Sequence, residues 1–448
     1  MKASSILGLN ARATEYSYRY NTKRGKGIAA SKSLMARVLK KEGIPTPKIY
    51  KKITSPESIL KFDWNSLPDS FAVKPSRGLG GRGIIVIKRR ARDGNGWVTT
   101  TRERVTIEDL NLHALDILEG AYSLSNARDI ILIQEYVGRH KAFKKYAYRG
   151  TPDIRVIVFN KIPVMAMVRF PTKDSGGRSN LHQGAIGVGV DIATGITTKA
   201  IQYSKYIDFK PGTKRKLNGI KIPHWNRILT LAVEGAEVAG LMYGGVDIMI
   251  HPEDGPVIIE FNYQPGLQIQ LANMAGLRKR LDRVEDLKVI DAEHGLTIAK
   301  TIFAGPFSRR VRQEGGIKTI SALEEITIKG AHQKKERKKV IAKIDTGAWR
   351  TSISQSLAEE LGLLNERNVL WTKTVRSSLG KQRRPVISLT FWLAGTKVTT
   401  PASVAKRMAL KYPVIVGRKN LKGFLVNPHL KVKDVKEARI KSQKDKEK

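Results

Sequence analysis

The chain has 448 residues and carries 81 Lys and Arg against 40 Asp and Glu, which gives a formal net charge of +41. This length predicts two or three domains, and the charge predicts a polyanionic partner such as nucleic acid, an anionic membrane surface or an acidic peptide, with solubility alone as the plain alternative. The absence of cysteine excludes disulfides, thiolate zinc sites and cysteine nucleophiles. No apolar run approaches the roughly 20 residues of a spanning helix, so we expect no membrane span and a cytoplasmic location.

The first 52 residues form a basic N-terminal segment, in which 13 Lys or Arg stand against two acids. Within this segment, the apolar residues from Ser31 to Glu42 recur at helical spacing and predict a helix, which Ser31 or Ser33 could cap. Glycine and proline at 43–47 end it. Further along, apolar runs predict strands at 71–74, 84–88 and 130–137, a hairpin of strands at 154–160 and 164–170, and an amphipathic helix at 226–242.

A change in composition marks a second unit. The stretch at 303–318 is polar and rich in arginine, which predicts a linker. Short strands are predicted within residues 319–428, at 325–329, 340–345, 386–392 and 413–416. The basic tail at 429–448 has few apolar residues, and we expect frayed helix or disorder there.

Three oxygen-bearing side chains follow apolar strands in the second half of the first unit. One strand delivers Asp247, and the next delivers Glu260 and Asn262. Mg²⁺ prefers hard oxygen ligands and usually shares its coordination shell with substrate phosphates. The pattern therefore predicts a magnesium site.

A glycine-rich turn between two predicted strands is the candidate phosphate site. Lys74 precedes it, and Gly80, Gly81 and Gly83 lie within it. Glycines let backbone N–H groups approach phosphate oxygens, and Lys74 adds a point charge. A plain hairpin turn is the alternative, and the absence of a following Gly-Lys-Ser/Thr excludes a P-loop.

Further candidate residues lie between these two motifs. A strand end at Glu135, Tyr136 and Val137 could hydrogen-bond adenosine. Arg178 and Asn180 lie in a glycine-rich loop suited to a developing phosphoryl charge, although a basic surface loop is the alternative. Asp153 and Arg155, in the segment Asp153-Ile154-Arg155, are further candidate cofactor-binding residues, and Arg155 adds a cation there.

Taken in chain order, these motifs resemble an ATP-grasp ligase, and within that superfamily the alpha-L-glutamate ligase and ligase-related branch. The resemblance covers about residues 31–281 and implies an ATP-grasp domain at 31–302. The run from Asn262 to Asn273 is especially similar to the ligase-related subgroup. Two departures from the family pattern leave the substrate open. The stretch from Val137 to Asp153 is unusually basic, and Tyr263 and Gln264 stand where the glutamate-adding members have small residues.

The resemblance implies the chemistry. ATP phosphorylates a carboxylate, and an amine displaces phosphate to form an amide. Lys32 and Lys74 would bind the phosphate groups. The implied cofactors are ATP and Mg²⁺, with Mn²⁺ as an alternative ion. The implied partners are an amino acid and a peptide or protein acceptor, which the positive charge predicts to be acidic.

The second unit contains one Asp-Thr-Gly after an apolar strand, at Asp345. Aspartic proteases need two carboxylates sharing a proton, and from 319 onward the only other Asp residues are Asp434 and Asp445 in the tail. A functional dyad would require a homodimer. The segment from 324 to 427 resembles a retropepsin-like domain, closest to the family of putative ATP-dependent zinc proteases, although no zinc-ligand motif is present.

The resulting expectation is a mixed α+β and α/β multidomain chain, with an ATP-grasp fold followed by a small all-β retropepsin-like barrel. The barrel is an active dimeric protease, an inactive dimerisation or peptide-binding module, or a fold in which the Asp-Thr-Gly turn has no role. Two other functions stay open. One is an ATP-grasp enzyme acting on a non-peptide, envelope or sugar-linked carboxylate, and the other is a basic RNA-associated protein with Tyr16, Tyr18 and Tyr20 as stacking residues.

Overall fold

Two antiparallel sheets and a separate β-barrel organise the chain, whose structure is a computed structural model. It describes residues 3–78, 80–123, 126–304, 318–331, 336–377, 380–405 and 412–430. The contacts divide the chain between Asp286 and Leu287 into two compact units. The predicted linker at 303–318 and tail at 429–448 lie almost wholly outside the described residues and stay predictions.

The helices of the first unit range from three-residue turns to the 14 residues of its longest helix. They are α1 (Leu9–Ala11), a π-helical turn (Arg12–Ser17), α2 (Tyr18–Tyr20), α3 (Lys23–Ala29), α4 (Lys32–Lys41), α5 (Pro56–Leu60), α6 (Ile107–Glu119), α7 (Trp225–Val238), α8 (Ile269–Ala272) and α9 (Arg278–Leu281). The predicted helix at 31–42 is confirmed as α4, and the Ser31 hydroxyl caps it by accepting from the N–H of Leu34 at 3.3 Å. This cap places Lys32 at the first helical position. None of the described helices has both the length and the apolar surface needed to cross a membrane.

The first sheet has six antiparallel strands. They are β1 (Ile49–Ile53), β2 (Phe71–Pro75), β3 (Ile85–Arg90), β4 (Trp97–Thr99), β5 (Arg104–Val105) and β6 (Ile131–Glu135) in the order β1-β6-β2-β3-β4-β5. Its core packs α5 and α6 against Trp64, Phe71 and Trp97, which are fully buried. The strands predicted at 71–74, 84–88 and 130–137 are confirmed as β2, β3 and β6.

The second sheet has seven antiparallel strands and a nearly continuous apolar interior. They are β7 (Asp153–Phe159), β8 (Ile162–Phe170), β9 (Ile186–Val190), β10 (Thr197–Gln202), β11 (Lys205–Ile207), β12 (Tyr243–His251) and β13 (Gly255–Asn262), in the order β11-β10-β9-β8-β7-β12-β13. Helix α7 packs against β12 and β13, and it ends at Val238, earlier than the predicted 242, because Gly240 follows at a φ of +71°. The predicted hairpin is confirmed as β7–β8.

The N-terminal segment is fixed to the body of the first unit by Gln270. Its buried side chain accepts from the N–H of Leu7 at 2.9 Å, donates to the carbonyl of Leu7 at 3.1 Å and accepts from the N–H of Leu277 at 2.8 Å. Tyr16 and Tyr20 pack edge-on against Phe159 with ring centroids 5.6 and 5.1 Å apart. Because these two rings are used in packing, the predicted stacking set of three tyrosines keeps only Tyr18 as an exposed ring.

We predict that Gln270→Ala loosens this segment. The change leaves two N–H groups and one carbonyl without their partner, and each unsatisfied buried group costs roughly 1–3 kcal/mol. Trypsin should then cleave at Arg12 and Arg19 at least tenfold faster, as followed by mass spectrometry. Gln268→Ala, in the same turn, should leave the cleavage rate unchanged, and equal protection in both variants would contradict the anchoring role.

The second unit is built around a closed set of strands. It contains α10 (Ala292–Ile302), a helix at Gln355–Glu360, and β14 (Lys318–Ile320), β15 (Leu323–Lys329), β16 (Arg337–Asp345), β17 (Ser352–Ser354), β18 (Val369–Ser377), β19 (Gly380–Leu393), β20 (Thr396–Ala405), β21 (Val414–Gly417) and β22 (Phe424–Val426). The order β15-β16-β21-β17-β20-β19-β18 includes a further pairing of β15 with β19, which closes six of these strands into a barrel. The four strands predicted here are confirmed, with β19 longer than expected.

Candidate active site

Cross-strand register brings the three predicted metal ligands together. In the β12–β13 pair, Asp247 lies opposite Glu260 and Gly245 lies opposite Asn262. Opposed residues share a face of the sheet, and so do residues two apart on one strand. The amide nitrogen of Asn262 donates to Oδ2 of Asp247 at 3.2 Å.

Asp247 is buried and held by two guanidinium groups. Arg155 donates from Nε and Nη2 to its two carboxylate oxygens at 2.7 and 2.6 Å, and Arg169 donates from Nη2 to Oδ2 at 2.8 Å. Burial alone would raise the pKa of Asp247, but Arg155 and Arg169 outweigh it and hold this pKa at about 2. The carboxylate is therefore ionised at neutral pH.

Arg169 also joins Asp153 to this network. Its Nε and Nη2 donate to Asp153 at 2.5 and 2.7 Å, and the two residues are opposed in the β7–β8 hairpin. Burial raises the pKa of Asp153 to about 6 against the opposing charge of Arg169. Arg169 was not predicted from the sequence. It is the single charged residue in the apolar strand at 162–170, and this pattern could have indicated a buried ion pair.

Lys32 connects helix α4 to Glu260. Its Nζ lies 3.4 Å from Oε1 of Glu260 and donates to the carbonyl of Gly78 at 3.1 Å. Its backbone N–H donates to the carbonyl of Ser76 at 3.0 Å, and the Ser76 hydroxyl accepts from the N–H of Ser33 at 3.3 Å. Ser76, which sequence reasoning also missed, thus fixes the start of α4 beside the glycine-rich turn.

Lys74 is a buried lysine of the site. It lies on β2 directly before the glycine-rich turn. Burial lowers its pKa to about 7, the charge of Lys32 acts in the same direction, and Glu260 opposes them. A bound anion would stabilise the charged form of Lys74 and raise this pKa.

The glycine-rich turn uses backbone conformations that favour glycine. Gly80, Gly81 and Gly83 have φ of +63°, +77° and +69°, and Leu79 lies outside the described residues. A Cβ at Gly83 would lie 2.5 Å from the ring of Tyr122. The amide nitrogen of Asn180 donates to the carbonyl of Gly80 at 3.2 Å, so the loop that carries Asn180 reaches this turn.

Arg178 lies in the same loop as Asn180 and has an exposed side chain. Its backbone N–H donates to the carbonyl of Ser175 at 3.1 Å, and the Ser179 hydroxyl donates to the carbonyl of Thr151 at 3.1 Å. These bonds hold the loop while leaving the guanidinium in solvent. Arg178 thus lies, with an exposed side chain, in the loop whose Asn180 contacts Gly80.

The predicted adenosine segment lies at the end of β6, the neighbour of β2. Glu135 accepts from the N–H of Lys48 at 3.1 Å and lies 3.9 Å from Nε2 of His251. Val137 is buried and its carbonyl accepts from Thr151 at 2.8 Å, while Tyr136 is half-buried. Glu135, His251 and Asp254 have the spacing of a metal cluster, but Nδ1 of His251 already accepts from the N–H of Asp254 at 3.0 Å.

Asp345 lies in a tight turn at the end of β16 in the second unit. Its Oδ1 accepts from the N–H groups of Gly347 and Ala348, both at 2.9 Å. In the parallel β16–β21 pair it is opposed by Gly417, where a Cβ would lie 2.5 Å from the backbone of Arg350. This geometry presents one carboxylate, with its Oδ1 held by two backbone donors.

The residues present in the first unit fit a magnesium ion and a nucleotide. Asp247, Glu260 and Asn262 offer oxygen donors on one face, which is the donor set that Mg²⁺ prefers. Lys32 and Lys74 supply positive charge next to the glycine-rich turn, which suits phosphate groups. Two antiparallel sheets that bring such a turn to a carboxylate-bearing strand pair agree with the ATP-grasp fold expected from the sequence.

The chain belongs to the sugar-transfer associated ATP-grasp family, whose sequence model matches residues 11–286. No curated protein sequence matches the chain.

Several solved structures are similar to parts of the chain. ATP-grasp ligase PsnB in complex with a minimal precursor is 17% identical, with 59% of this chain and 63% of PsnB covered and a TM-score of 0.32. D-alanine–D-alanine ligase from Bacillus anthracis in complex with ATP is 16% identical, with 66% and 71% covered and a TM-score of 0.33. The Legionella pneumophila protein Lpg0085, of unknown function (DUF785), is 21% identical, with 25% and 94% covered and a TM-score of 0.18. The chain spans less than two thirds of PsnB, and the family assignment rests on the family model alone.

We predict that binding of Mg·ATP is coupled to proton uptake by Lys74. A lysine whose pKa is lowered to about 7 is largely neutral at pH 8 and must regain a proton to pair with phosphate. Affinity should therefore fall as pH rises above 7, by up to about tenfold per pH unit. Calorimetry at pH 8 in two buffers of different ionisation enthalpy should give an uptake approaching one proton.

The control for this prediction is an arginine at the same position. Lys74→Arg is always charged and should show no such uptake, whereas Lys40→Arg, at an exposed position of α4, should behave as the wild type. Equal uptake in Lys74→Arg and the wild type would assign the proton to another group.

Proposed function

We propose that the first unit is an ATP- and Mg²⁺-dependent carboxylate–amine ligase that forms an amide bond through an acyl phosphate. The observation that carries this proposal is the convergence of Asp247, Glu260 and Asn262 with the cations Lys32 and Lys74. Phosphoryl transfer needs positioning and charge neutralisation more than a protein nucleophile, and this set supplies both.

The proposed reaction has the two steps that the resemblance to ATP-grasp ligases implies. A substrate carboxylate oxygen attacks the γ-phosphorus of ATP, the bond to the bridging oxygen breaks, and ADP leaves. An amine then attacks the acyl carbon, phosphate leaves, and the nitrogen loses a proton to form the amide. Mg²⁺ held by Asp247, Glu260 and Asn262 would neutralise phosphate charge, while Lys32 and Lys74 bind phosphate oxygens.

The remaining predicted residues take roles around this centre. Arg178 and Asn180 contact the transferring phosphoryl group from their loop, with Arg178 supplying a guanidinium for the developing charge. Arg155 and Asp153 orient Asp247 through the buried ion network. Adenosine is assigned to the segment Glu135, Tyr136 and Val137, beside the glycines of the phosphate turn.

The substrate proposal follows the alpha-L-glutamate ligase-like branch, with an amino acid added to a peptide or protein acceptor. The second candidate is a sugar-linked or other envelope carboxylate, which the description of the family as sugar-transfer associated favours. Both candidates use the same phosphoryl-transfer centre. They differ only in the acceptor.

We predict that Asp247→Asn and Glu260→Gln each lower ligase turnover by more than about a hundredfold, because each removes a charged metal ligand. ADP and product release should be measured with Mg·ATP against amino acids offered with Glu-rich peptides or with an oligouronide. Glu253→Gln, an exposed carboxylate in the β12–β13 turn, should keep full turnover.

The acceptor that gives product decides between the two substrate candidates. ADP release without any amide product, or turnover unchanged in both variants, would refute the ligase proposal.

For the second unit we propose a retropepsin-like domain at 319–428 that forms a homodimer and completes an aspartic dyad from two copies of Asp345. The backbone donors of Gly347 and Ala348 on Asp345 support this proposal, and so does the parallel pairing of β16 with β21. A paired carboxylate of this kind shares one proton at mildly acid pH.

We predict that peptide cleavage by this unit at acid pH rises more steeply than linearly with protein concentration. Asp345→Asn should abolish cleavage while leaving the sedimentation behaviour unchanged, and Glu366→Gln should change neither. A chain that dimerises but cleaves no peptide would instead support a dimerisation or peptide-binding module, and a strict monomer would leave the turn without a role.

A further inference from the structure

Two basic segments of the first unit contain no acidic residue. Residues 138–150 carry five Lys or Arg, residues 209–216 carry four, and neither segment contains Asp or Glu. We call these two segments together the basic face. The first segment is also the stretch whose composition departs from the resembled ligases.

Direct contacts join the two segments. The Nζ of Lys210 donates to the carbonyl of Lys145 at 3.2 Å, and the guanidinium of Arg215 lies 5.8 Å from the ring centroid of Tyr146. Burial lowers the pKa of Lys210, and the charges of Arg215 and Arg139 lower it further. Positive groups are therefore crowded together on this face.

These charges are not neutralised by the chain itself. Within the described part of the chain, no salt bridge includes a Lys or Arg of the basic face. The carboxylate directly before the second segment, Asp208, is paired with Lys199 at 3.4 Å. A cluster of unpaired cations attracts an anionic ligand.

The basic face lies against the loop of the phosphoryl-transfer site. A Cβ on Gly150 would be 1.8 Å from the carbonyl oxygen of Gly177, and the N–H of Tyr148 donates to the carbonyl of Pro171 at 2.8 Å. That loop continues to Arg178 and to Asn180, which bonds Gly80. The basic face is therefore continuous with the loop that carries Arg178 and Asn180.

The exposed cations of the basic face supply point charges rather than the arginine forks that make bidentate contacts with bases and phosphates. The exposed cations are lysines, including Lys141, Lys144 and Lys214, which act as point charges. Two of the arginine forks are used within the protein: Arg139 donates to the carbonyl of Ala147 at 2.9 Å, and Arg149 donates to the carbonyl of Thr101 at 2.6 Å.

Both tyrosine rings of the basic face are partly covered by neighbouring groups, whereas Phe209 at its edge is 46% exposed. Tyr146 stacks on Phe170 with ring centroids 5.5 Å apart, and the guanidinium of Arg149 lies 5.0 Å from the ring centroid of Tyr148. Sites for single-stranded nucleic acid combine positive charge with rings on which bases stack. The basic face has the positive charge of such a site, but neither Tyr146 nor Tyr148 offers an open ring on which a base could stack.

We propose that the basic face docks the acceptor of the ligase, and that this acceptor is a peptide segment rich in Glu or Asp. This inference rests on the proposed function for the role of the docked peptide. The docking itself is independent of turnover, so the two can be tested separately.

The test measures binding without ATP, using the full chain. Fluorescence anisotropy follows a labelled octaglutamate peptide binding to the wild type, to Lys141→Gln/Lys144→Gln/Lys214→Gln, and to the matched control Lys40→Gln/Lys41→Gln/Lys61→Gln, which removes the same charge from exposed positions elsewhere. The first triple variant should bind at least about tenfold more weakly, because three lysine–carboxylate contacts are lost. The control should stay within about twofold, and octaglutamine should not bind.

Three outcomes would overturn the docking surface. These are equal weakening in both triple variants, unchanged binding in the first, or an octathymidylate that binds the wild type more tightly than octaglutamate and loses affinity through the same lysines. The last outcome would identify a nucleic-acid surface instead.

Turnover assays of the same variants separate this inference from the proposed function. Docking through these lysines without any amide product would leave the docking surface standing and refute the ligase. Amide formation on a Glu-rich peptide that is indifferent to these lysines would leave the ligase standing and refute the docking surface.

Discussion

The first unit depends on a buried ion network in which two carboxylates and two guanidinium groups balance one another. Asp153 and Arg155 come from β7, Arg169 from β8 and Asp247 from β12, so the network ties three adjacent strands together at the candidate metal site. Removing one partner of a buried ion pair typically costs about 3–5 kcal/mol, because it leaves an uncompensated charge. Lys74, in contrast to these paired charges, has no salt bridge among the described residues, and burial lowers its pKa to about 7.

The same network constrains how a metal ion can bind. Both oxygens of Asp247 already accept from guanidinium groups, so a cation that binds there must share those oxygens or displace a guanidinium. Positive charges at such short range repel one another. A guanidinium freed from Asp247 would then be available to an anion beside the metal, which links metal loading to the binding of a phosphate or carboxylate.

Much of this site was predictable from sequence because its members lie on short local patterns. Apolar strands indicated Asp247 and Glu260, and the glycine-rich pattern indicated a turn in which Gly80 has a positive φ. Arg169, Ser76 and Gln270 were not predicted as functional or anchoring residues because their partners lie on other elements, and cross-strand register or a long-range contact decides those pairings. Tyr16 and Tyr20 illustrate the opposite error, in which a pattern suited to base stacking is used for packing against Phe159.

The large positive charge serves two physically different purposes in the first unit. Arginines of the ion network are buried and make bidentate bonds to carboxylates, which fixes geometry and is little affected by salt. The exposed cations of the basic face are lysines, whose attraction extends over about a Debye length of 8–10 Å and is screened as ionic strength rises. Recruitment of an acidic ligand should therefore depend on salt, while the arrangement of the reaction centre should not. The net charge of +41 does not distinguish these two groups of cations. The distinction depends on which cations already form an ion pair with a carboxylate of the protein.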